Sequence, residues 1–241
     1  MLPGSIYTNK LSIGYEKHIV RKELTFALQA GELVCLIGAN GCGKSTLLRT
    51  LAGLQPPIEG SFVAENLAIV LTERVSMDNT TVHDIVALGR YPYTSCMGTL
   101  KPEDEQAIEA AMEQVGLNTL RRDGKPYKQV FFNALSDGEK QRVLIAKALA
   151  QQTPVILLDE PTAHLDIPNR IQVLRLLRDL AHQQGKTILL STHELDLALQ
   201  LSDRILLMTQ EGIELDSPTV LKEKGAFEKA FGMDVLTLLK C

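Results

Sequence analysis

One stretch of this chain combines glycines with a lysine and a serine at a spacing that suits phosphate binding. It reads Gly38-Ala39-Asn40-Gly41-Cys42-Gly43-Lys44-Ser45 and continues into Thr46. Glycines let the backbone turn tightly, so that successive N–H groups can line a concavity for anionic oxygens. Lys44 supplies a full positive charge for the terminal phosphates, and Ser45 offers a hydroxyl to Mg²⁺. These residues are therefore candidate contacts to a bound nucleotide.

The sequence on either side supplies the elements that such a loop needs. An apolar run, residues 33–37, precedes it and predicts a buried strand. A helical pattern of leucines follows, formed by Leu47, Leu48, Leu51 and Leu54. The amino-terminal end of that helix adds a partial positive charge at the loop. The context of strand, glycine turn and helix favours nucleotide binding over a chance loop.

A second apolar run, residues 155–158, ends directly in Asp159 and Glu160. Continuous apolar runs are typical of buried parallel strands, and ligands gather at the carboxyl ends of such strands. Carboxylates are costly there unless they meet a cation. Asp159 is therefore a candidate Mg²⁺ partner and Glu160 a candidate to orient or activate water. The alternative is that both residues only cap the next helix.

A third predicted core strand, residues 187–190, leads to His193, which places this histidine at the same edge of the predicted sheet. A single histidine can also have a purely structural role. Tyr15 precedes the glycine loop and allows two readings as well, a half-buried aromatic or a ring that stacks on a base. Among the strands predicted before the loop, Gly14 and Gly31 are expected breakers.

Residues 73–150 predict a mostly helical segment inserted into this α/β frame. Thr81 and Asp84 form a capping-box pattern that opens a helix, which Gly89 is expected to end. Ser136 and Glu139 form a second such pattern at the start of a helix that runs to about residue 150.

Composition limits the functions that the chain can have. Its 241 residues are 45% hydrophobic and carry a formal net charge of −4, so no overall basic field attracts nucleic acid. No apolar run approaches the roughly 20 residues that cross a bilayer. The four cysteines show no C-x-x-C spacing, which argues against a zinc site. We therefore expect a soluble, cytosolic chain.

Taken in order, these motifs resemble the nucleotide-binding subunit of ATP-binding cassette (ABC) proteins. Residues 38–45 are similar to the Walker A motif, 155–159 to Walker B, 135–139 to the signature and 163–166 to the D-loop. By the same resemblance Glu160 is the catalytic glutamate, His193 the switch histidine and Tyr15 the adenine-stacking aromatic. The resemblance implies an α/β fold: a P-loop NTPase core with a parallel-centred sheet, an N-terminal antiparallel β subdomain and an inserted helical subdomain.

The resemblance also implies one ABC ATPase domain over residues 1–241, with 1–72 and 151–241 as the nucleotide-binding core and 73–150 as the helical subdomain. It implies a head-to-tail homodimer that binds ATP and Mg²⁺. Ser45 and Asp159 would serve Mg²⁺, and Asp166 would belong to the D-loop. The signature residues of the second subunit would complete each ATP site; these are Ser136, Gly138 and Glu139.

The chain departs from the family pattern at two places. Asp137 and Glu139 stand where the commonest signature has glycine and glutamine. The glutamine of the Q-loop, expected after the strand near residue 70, is missing, and Thr72 or Glu73 takes its place.

Residues 81–93 are similar to importer ATPases for iron–siderophore complexes, haem or cobalamin. That resemblance implies ATP hydrolysis coupled to transport through a separate membrane permease, with a substrate-binding protein upstream and no nucleic-acid partner. The chain would then lie peripherally on the cytoplasmic face of the inner membrane. Tyr91 and Tyr93 would contact the permease or pack within the helical subdomain.

Two other classes remain open at this stage. One is a soluble ABC ATPase that acts on a protein or nucleic-acid machine, although the chain has no coiled-coil insertion and no basic stripe. The other is a kinase or GTPase, which fits poorly because no Asn-Lys-x-Asp guanine motif is present.

Overall fold

The computed structural model describes residues 5–16, 18–64, 66–71, 77–94, 98–121, 124–209 and 212–232. The chain forms two compact units. The core unit comprises Met1–Leu71, Pro154–Pro161 and Leu174–Cys241, and the helical unit comprises Thr72–Thr153 and Thr162–Val173.

The strands, in chain order, are β1 (Ile6–Tyr15), β2 (His18–Leu28), β3 (Leu33–Gly38), β4 (Glu59–Ala64), β5 (Leu67–Val70), β6 (Val155–Leu158), β7 (Thr187–Ser191), β8 (Arg204–Met208) and β9 (Ile213–Asp216). The helices are α1 (Lys44–Leu51), α2 (Val82–Ala87), α3 (Pro102–Gln114), α4 (Asp137–Ala150), α5 (Ile167–Gln184), α6 (Leu195–Leu201), α7 (Pro218–Glu223) and α8 (Ala226–Phe231). None of these described helices combines the length and apolar character needed to cross a bilayer.

The core unit is built on a sheet with the strand order β5-β6-β7-β3-β8-β9. The first five strands are parallel, and β9 runs antiparallel to β8 at the edge. Every residue of β3, β6 and β7 is buried, which explains their predominantly apolar sequences. Leu158 pairs with Leu190 at the carboxyl ends of β6 and β7, so the residues that follow each strand emerge at the same edge.

A second sheet in the core unit has the order β2-β1-β4 and is antiparallel. The parallel-centred sheet and the N-terminal antiparallel sheet confirm the predicted α/β architecture. The prediction that Gly14 breaks the first strand is wrong: Gly14 lies within β1 opposite Ile19. It sits beside a register shift in the ladder, and such irregular positions commonly accept glycine within a strand.

The two sheets of the core unit and α1 share one hydrophobic cluster, which includes Ile13, Leu36, Leu47, Leu48 and Leu51. This burial holds the start of α1 against the end of β3. Leu54, which the leucine pattern placed on the same helix face, is exposed. The helix ends at Leu51, before that position is reached.

The helical unit contains α2, α3 and α4, which pack on one another. Both capping boxes form as predicted, at Thr81 with Asp84 and at Ser136 with Glu139. The predicted stop at Gly89 is wrong, because α2 passes into a 3-10 helix over Leu88–Tyr93. That segment is held by the buried Arg90, whose Nε donates to Asp104 Oδ1 at 2.9 Å and whose Nη1 donates to the Ala150 carbonyl at 2.9 Å.

Candidate functional site

The glycine loop leaves the carboxyl end of β3 and enters α1 at Lys44. Ala39, Asn40 and Gly41 form its exposed rim, whereas Cys42 and Gly43 are buried. Gly43 has a φ of 103°, and a Cβ at this position would lie 2.9 Å from Val20 Cγ1. Only glycine meets both conditions, so this position is fixed by backbone geometry and by close packing.

Lys44 folds its side chain back along the loop. Its Nζ donates to the carbonyl oxygens of Gly38 at 2.8 Å and Ala39 at 3.2 Å. The residue is buried, and an ammonium group has three N–H donors. Burial of a positive charge is costly, and an anion in the loop would offset that cost. The loop therefore has the charge and the donors expected of a phosphate site.

Ser45 and Asp159 meet although they are far apart in sequence. Ser45 Oγ donates to Asp159 Oδ1 at 3.1 Å. Asp159 is buried at the end of β6, and its backbone amide donates to the Val70 carbonyl at 2.8 Å. The described residues contain no cluster of three or more His, Cys, Asp or Glu side chains that could hold a metal ion. A hydroxyl and one carboxylate suit Mg²⁺, which keeps waters and shares its ligands with phosphates.

Glu160 follows Asp159 and adopts an uncommon backbone conformation. Its φ is 49°, in the left-handed region that residues with a Cβ rarely enter. Its carboxylate Oε1 lies 2.7 Å from His193 Nε2, and both side chains are partly exposed. The structure therefore brings His193 to Glu160. The alternative that Asp159 and Glu160 cap the next helix fails, since α5 begins only at Ile167.

Ser191, the last residue of β7, also belongs to this cluster. Its hydroxyl donates to Asp159 Oδ1 at 2.7 Å and accepts the Glu160 backbone amide at 2.9 Å. The sequence reasoning missed this residue. The signal that could have found it was the parallel pairing of two apolar runs that both end at polar residues.

Tyr15 lies on the core unit beside the start of α1. The residue is 51% exposed, and a 3.1 Å hydrogen bond joins its hydroxyl to Thr46 Oγ1. This contact ties the aromatic ring to the residue that follows the loop serine. Tyr15 is therefore near the predicted nucleotide contacts, with part of its side chain exposed for stacking.

The signature segment lies in the helical unit, at the first turn of α4. Ser136 is the N-cap, and its backbone amide and hydroxyl both donate to Glu139 Oε2 at 2.8 Å. Gly138 is buried, and a Cβ there would lie 2.6 Å from Asn169 Oδ1. A residue with a Cβ at this position would therefore have to displace the Asn169 amide. Asp166 orients that amide, because its Oδ1 accepts from Asn169 Nδ2 at 2.6 Å.

Glu139 is the most strongly bonded carboxylate of the signature. Partial burial raises the pKa of its carboxyl, but the hydrogen bonds from Ser136 and from the Tyr127 hydroxyl outweigh burial and lower the pKa overall. Tyr127 Oη donates to Glu139 Oε1 at 2.8 Å. Burial raises the pKa of the Tyr127 phenol, and the bond to Glu139 raises it further. Glu139 is therefore a stable, charged cap at neutral pH.

The two candidate permease contacts differ in their surroundings. Tyr91 is 74% exposed. Tyr93 donates from Oη to the Gln151 carbonyl at 2.7 Å, and the Arg90 guanidinium lies 4.0 Å from its ring centroid. Tyr93 thus packs in part within the helical unit, while Tyr91 faces solvent. Thr72 and Glu73, the residues at the Q-loop position, lie outside the described residues.

A glycine loop between a parallel strand and a helix, with a buried lysine and a serine–aspartate pair, defines a nucleoside-triphosphate-binding protein of the phosphate-loop class. The family model described as ABC transporter matches residues 21–163. The chain belongs to this family. The predicted class, an ABC-type ATPase, is therefore confirmed.

Similar proteins include ATP-binding proteins named for transport and import. The achromobactin transport ATP-binding protein of Dickeya dadantii is 35% identical, covering 95% of this chain and 88% of that protein. The iron(3+)-hydroxamate import ATP-binding protein of Bacillus subtilis is 35% identical, covering 93% of this chain and 84% of that protein. A solved metal-chelate type ABC transporter in an inward-facing conformation is 30% identical with a TM-score of 0.85, covering 95% of this chain and 89% of that chain.

Proposed function

We propose that this chain is the ATP-hydrolysing subunit of an importer that takes up a metal chelate, such as an iron–siderophore complex, haem or cobalamin. The proposal is supported by relatives named for achromobactin transport and iron(3+)-hydroxamate import, each similar over most of its length. The chain would work as a homodimer bound to a separate membrane permease, on the cytoplasmic face of the inner membrane, with a substrate-binding protein upstream.

In this proposal the glycine loop binds the phosphates of ATP. The backbone amides of the loop and the Lys44 ammonium face the anionic oxygens, and the Tyr15 ring stacks on adenine. The exposed ring of Tyr15 and its bond to Thr46 support that assignment. Residues 1–72 and 151–241 would form the nucleotide-binding core, and residues 73–150 the helical subdomain that carries the signature.

Ser45 and Asp159 would hold Mg²⁺, which neutralises phosphate charge when it is bound. Glu160 would accept a proton from the attacking water, since its carboxylate is partly exposed and ends a buried strand. His193 would hold that carboxylate in place and face the terminal phosphate. The observation that carries the proposal is the meeting of Asp159, Glu160 and His193 with the loop serine at one edge of the core sheet.

The signature would act on the ATP bound by the second subunit. Ser136 and Gly138 lie at the amino-terminal end of α4, where the helix dipole favours an anion. Glu139 would fix the hydroxyl of Ser136, and Asp166 would orient Asn169 against Gly138. Tyr91, the most exposed of the candidate aromatics, would contact the permease.

Cellular uptake of a radioactive iron–siderophore complex tests the proposal. A strain that carries Lys44→Ala should lose uptake, because the variant cannot hold the phosphates. Lys22→Ala is the matched control, since Lys22 is an exposed lysine of β2. Normal uptake of every metal chelate in the Lys44→Ala strain, with the chain bound to ribosomes or DNA instead, would contradict an importer.

A further inference from the structure

We propose that Ser191 is a positioning residue for ATP hydrolysis, which holds the Asp159 carboxylate and the Glu160 backbone in a fixed relation through one hydroxyl group. This inference rests on the proposed function, because it concerns the same site. It assigns a role to a residue that the motifs of the sequence did not single out.

The geometry uses the Ser191 hydroxyl both as a donor and as an acceptor. Its O–H donates to Asp159 Oδ1 at 2.7 Å, and its oxygen accepts the N–H of Glu160 at 2.9 Å. A hydroxyl has one donor and two acceptor positions, so both bonds form at the same time. Ser191 is fully buried, and no exposed surface lets bulk water replace it.

The bond to the Glu160 amide supports a conformation that the local sequence does not favour. Glu160 has a φ of 49°, which brings the Cβ of an L-residue close to the backbone. Such conformations persist where tertiary contacts determine them. Ser191 holds the backbone of Glu160, and His193, two residues further on, binds its carboxylate.

The bond to Asp159 fixes a proposed Mg²⁺ partner. Ser45 and Ser191 both donate to the same oxygen of Asp159. If the Ser45 hydroxyl turns to the cation, Ser191 still holds the carboxylate. The hydroxyl of Ser191 thus couples the position of Asp159, the proposed Mg²⁺ partner, to that of Glu160, the residue proposed to activate water.

The test compares Ser191→Ala with Thr187→Val in the full-length protein. Thr187 is the matched control: it is a fully buried hydroxyl residue of the same strand, and its Oγ1 donates to the Gln29 carbonyl at 3.2 Å. Each substitution removes one buried hydroxyl of β7. ATP hydrolysis, thermal unfolding and the binding of a fluorescent ATP analogue are measured across a Mg²⁺ titration and in EDTA.

Ser191→Ala should lower kcat about 10-fold with little change in the KM for ATP, since it removes a charge-assisted hydrogen bond. The Mg²⁺ concentration that half-saturates analogue binding should rise about fivefold, while binding in EDTA stays unchanged. Ser191→Cys, whose thiol is a weak donor, should give intermediate values. Thr187→Val should leave the Mg²⁺ requirement unchanged.

Equal kcat and an equal Mg²⁺ requirement in Ser191→Ala and Thr187→Val would overturn the proposal, even if both variants melt earlier than wild type. If Ser191→Ala does not fold, Ser191→Cys decides: a wild-type Mg²⁺ requirement in that variant would overturn it. A failure of the proposed function looks different. Wild-type protein would then drive no chelate uptake, while the Mg²⁺ titration of analogue binding would still test Ser191.

Discussion

Glu139 lies in the first turn of α4, and Glu160 lies before α5 in the sequence. Sequence patterns allow either glutamate to be a helix cap, but the two side chains have different surroundings. Glu139 accepts hydrogen bonds from the amide and hydroxyl of Ser136 and from the hydroxyl of Tyr127. Its partners lie in or near its own helix turn. Glu160 caps no helix, adopts a left-handed φ of 49° and contacts His193, which lies beyond the end of β7.

The difference indicates that Glu139 is a structural carboxylate, whereas Glu160 is available for catalysis. The contacts of Glu139 satisfy its charge and explain its place without any ligand. Glu160 is held in an unfavourable backbone conformation by residues of β7 and beyond, and its carboxylate remains partly exposed. Strain of this kind is found preferentially at functional sites, where the surrounding structure maintains it.

Glu160→Gln gives the largest effect that the comparison predicts. The substitution keeps the size of the side chain and removes its ability to accept a proton. We expect kcat to fall about 10²- to 10⁴-fold, the range typical of a lost general base. ATP binding should persist, and an ATP-bound dimer should accumulate. Phosphate release and size-exclusion chromatography with ATP measure the two results.

Glu139→Gln makes the same chemical change in the other glutamate. A glutamine can still accept the Ser136 amide, so we expect the cap to survive and kcat to fall less than about 10-fold. Equal losses in the two variants would remove the distinction between a capping and a catalytic carboxylate. Near wild-type hydrolysis by Glu160→Gln would contradict the role proposed for that residue.

His193→Ala should have the next largest effect, because it removes the partner that holds the Glu160 carboxylate. We expect kcat to fall about 10²-fold, comparable with the loss of one positioned donor at an active site. Two residues that act as a unit give non-additive losses. Glu160→Gln combined with His193→Ala should therefore be no slower than Glu160→Gln alone.

His182 provides a matched histidine–carboxylate pair, since its Nε2 lies 2.9 Å from Asp203 Oδ2 in the same unit. His182→Ala should hydrolyse ATP at close to the wild-type rate. A loss as large as that of His193→Ala would mean that both histidines act through stability of the core unit. Additive losses in the double variant would separate His193 from Glu160.

The parts of the fold that sequence could predict are those with local or periodic causes. The loop around Gly43, both capping boxes and the apolar strands β3, β6 and β7 each depend on neighbouring residues. Leu54 was misread because α1 ends at Leu51, just before Gly53, which has a φ of 71°. Gly89 was misread because α2 continues into a 3-10 helix at that position. The sequence predicts that Asp159 and Glu160 belong to a functional site, because carboxylates at the end of a buried strand are costly unless they meet a cation.

What sequence could not predict is set by contacts between distant segments. Ser191 meets Asp159 and Glu160 only because β6 and β7 are adjacent and in register. The left-handed backbone of Glu160 has no local signal either, as glutamate is not a residue that favours that region. The burial of Arg90 against Asp104 and the end of α4 also has no local signal, because those partners are distant in sequence.

The smallest predicted effect concerns stability and sharpens the assignment of Glu139 as a cap. Hydrogen bonds lower its pKa in the folded state below the ordinary value of 4.5. A lowered pKa contributes stability above the unfolded value, and this contribution is lost as the pH falls through the folded pKa. At pH 7, Glu139→Gln should therefore unfold about 1–2 °C below wild type, and this difference should shrink below about pH 4.5.

Thermal unfolding at several pH values checks this, with Glu109→Gln as the control because Glu109 is exposed on α3. Both variants remove one carboxylate, so the general effect of net charge is the same in each. Only for Glu139→Gln should the difference in unfolding temperature from wild type disappear as the pH is lowered. A gap that stays constant with pH would mean that the Ser136 and Tyr127 hydrogen bonds do not favour the charged form, and that Glu139 stabilises α4 by shape alone.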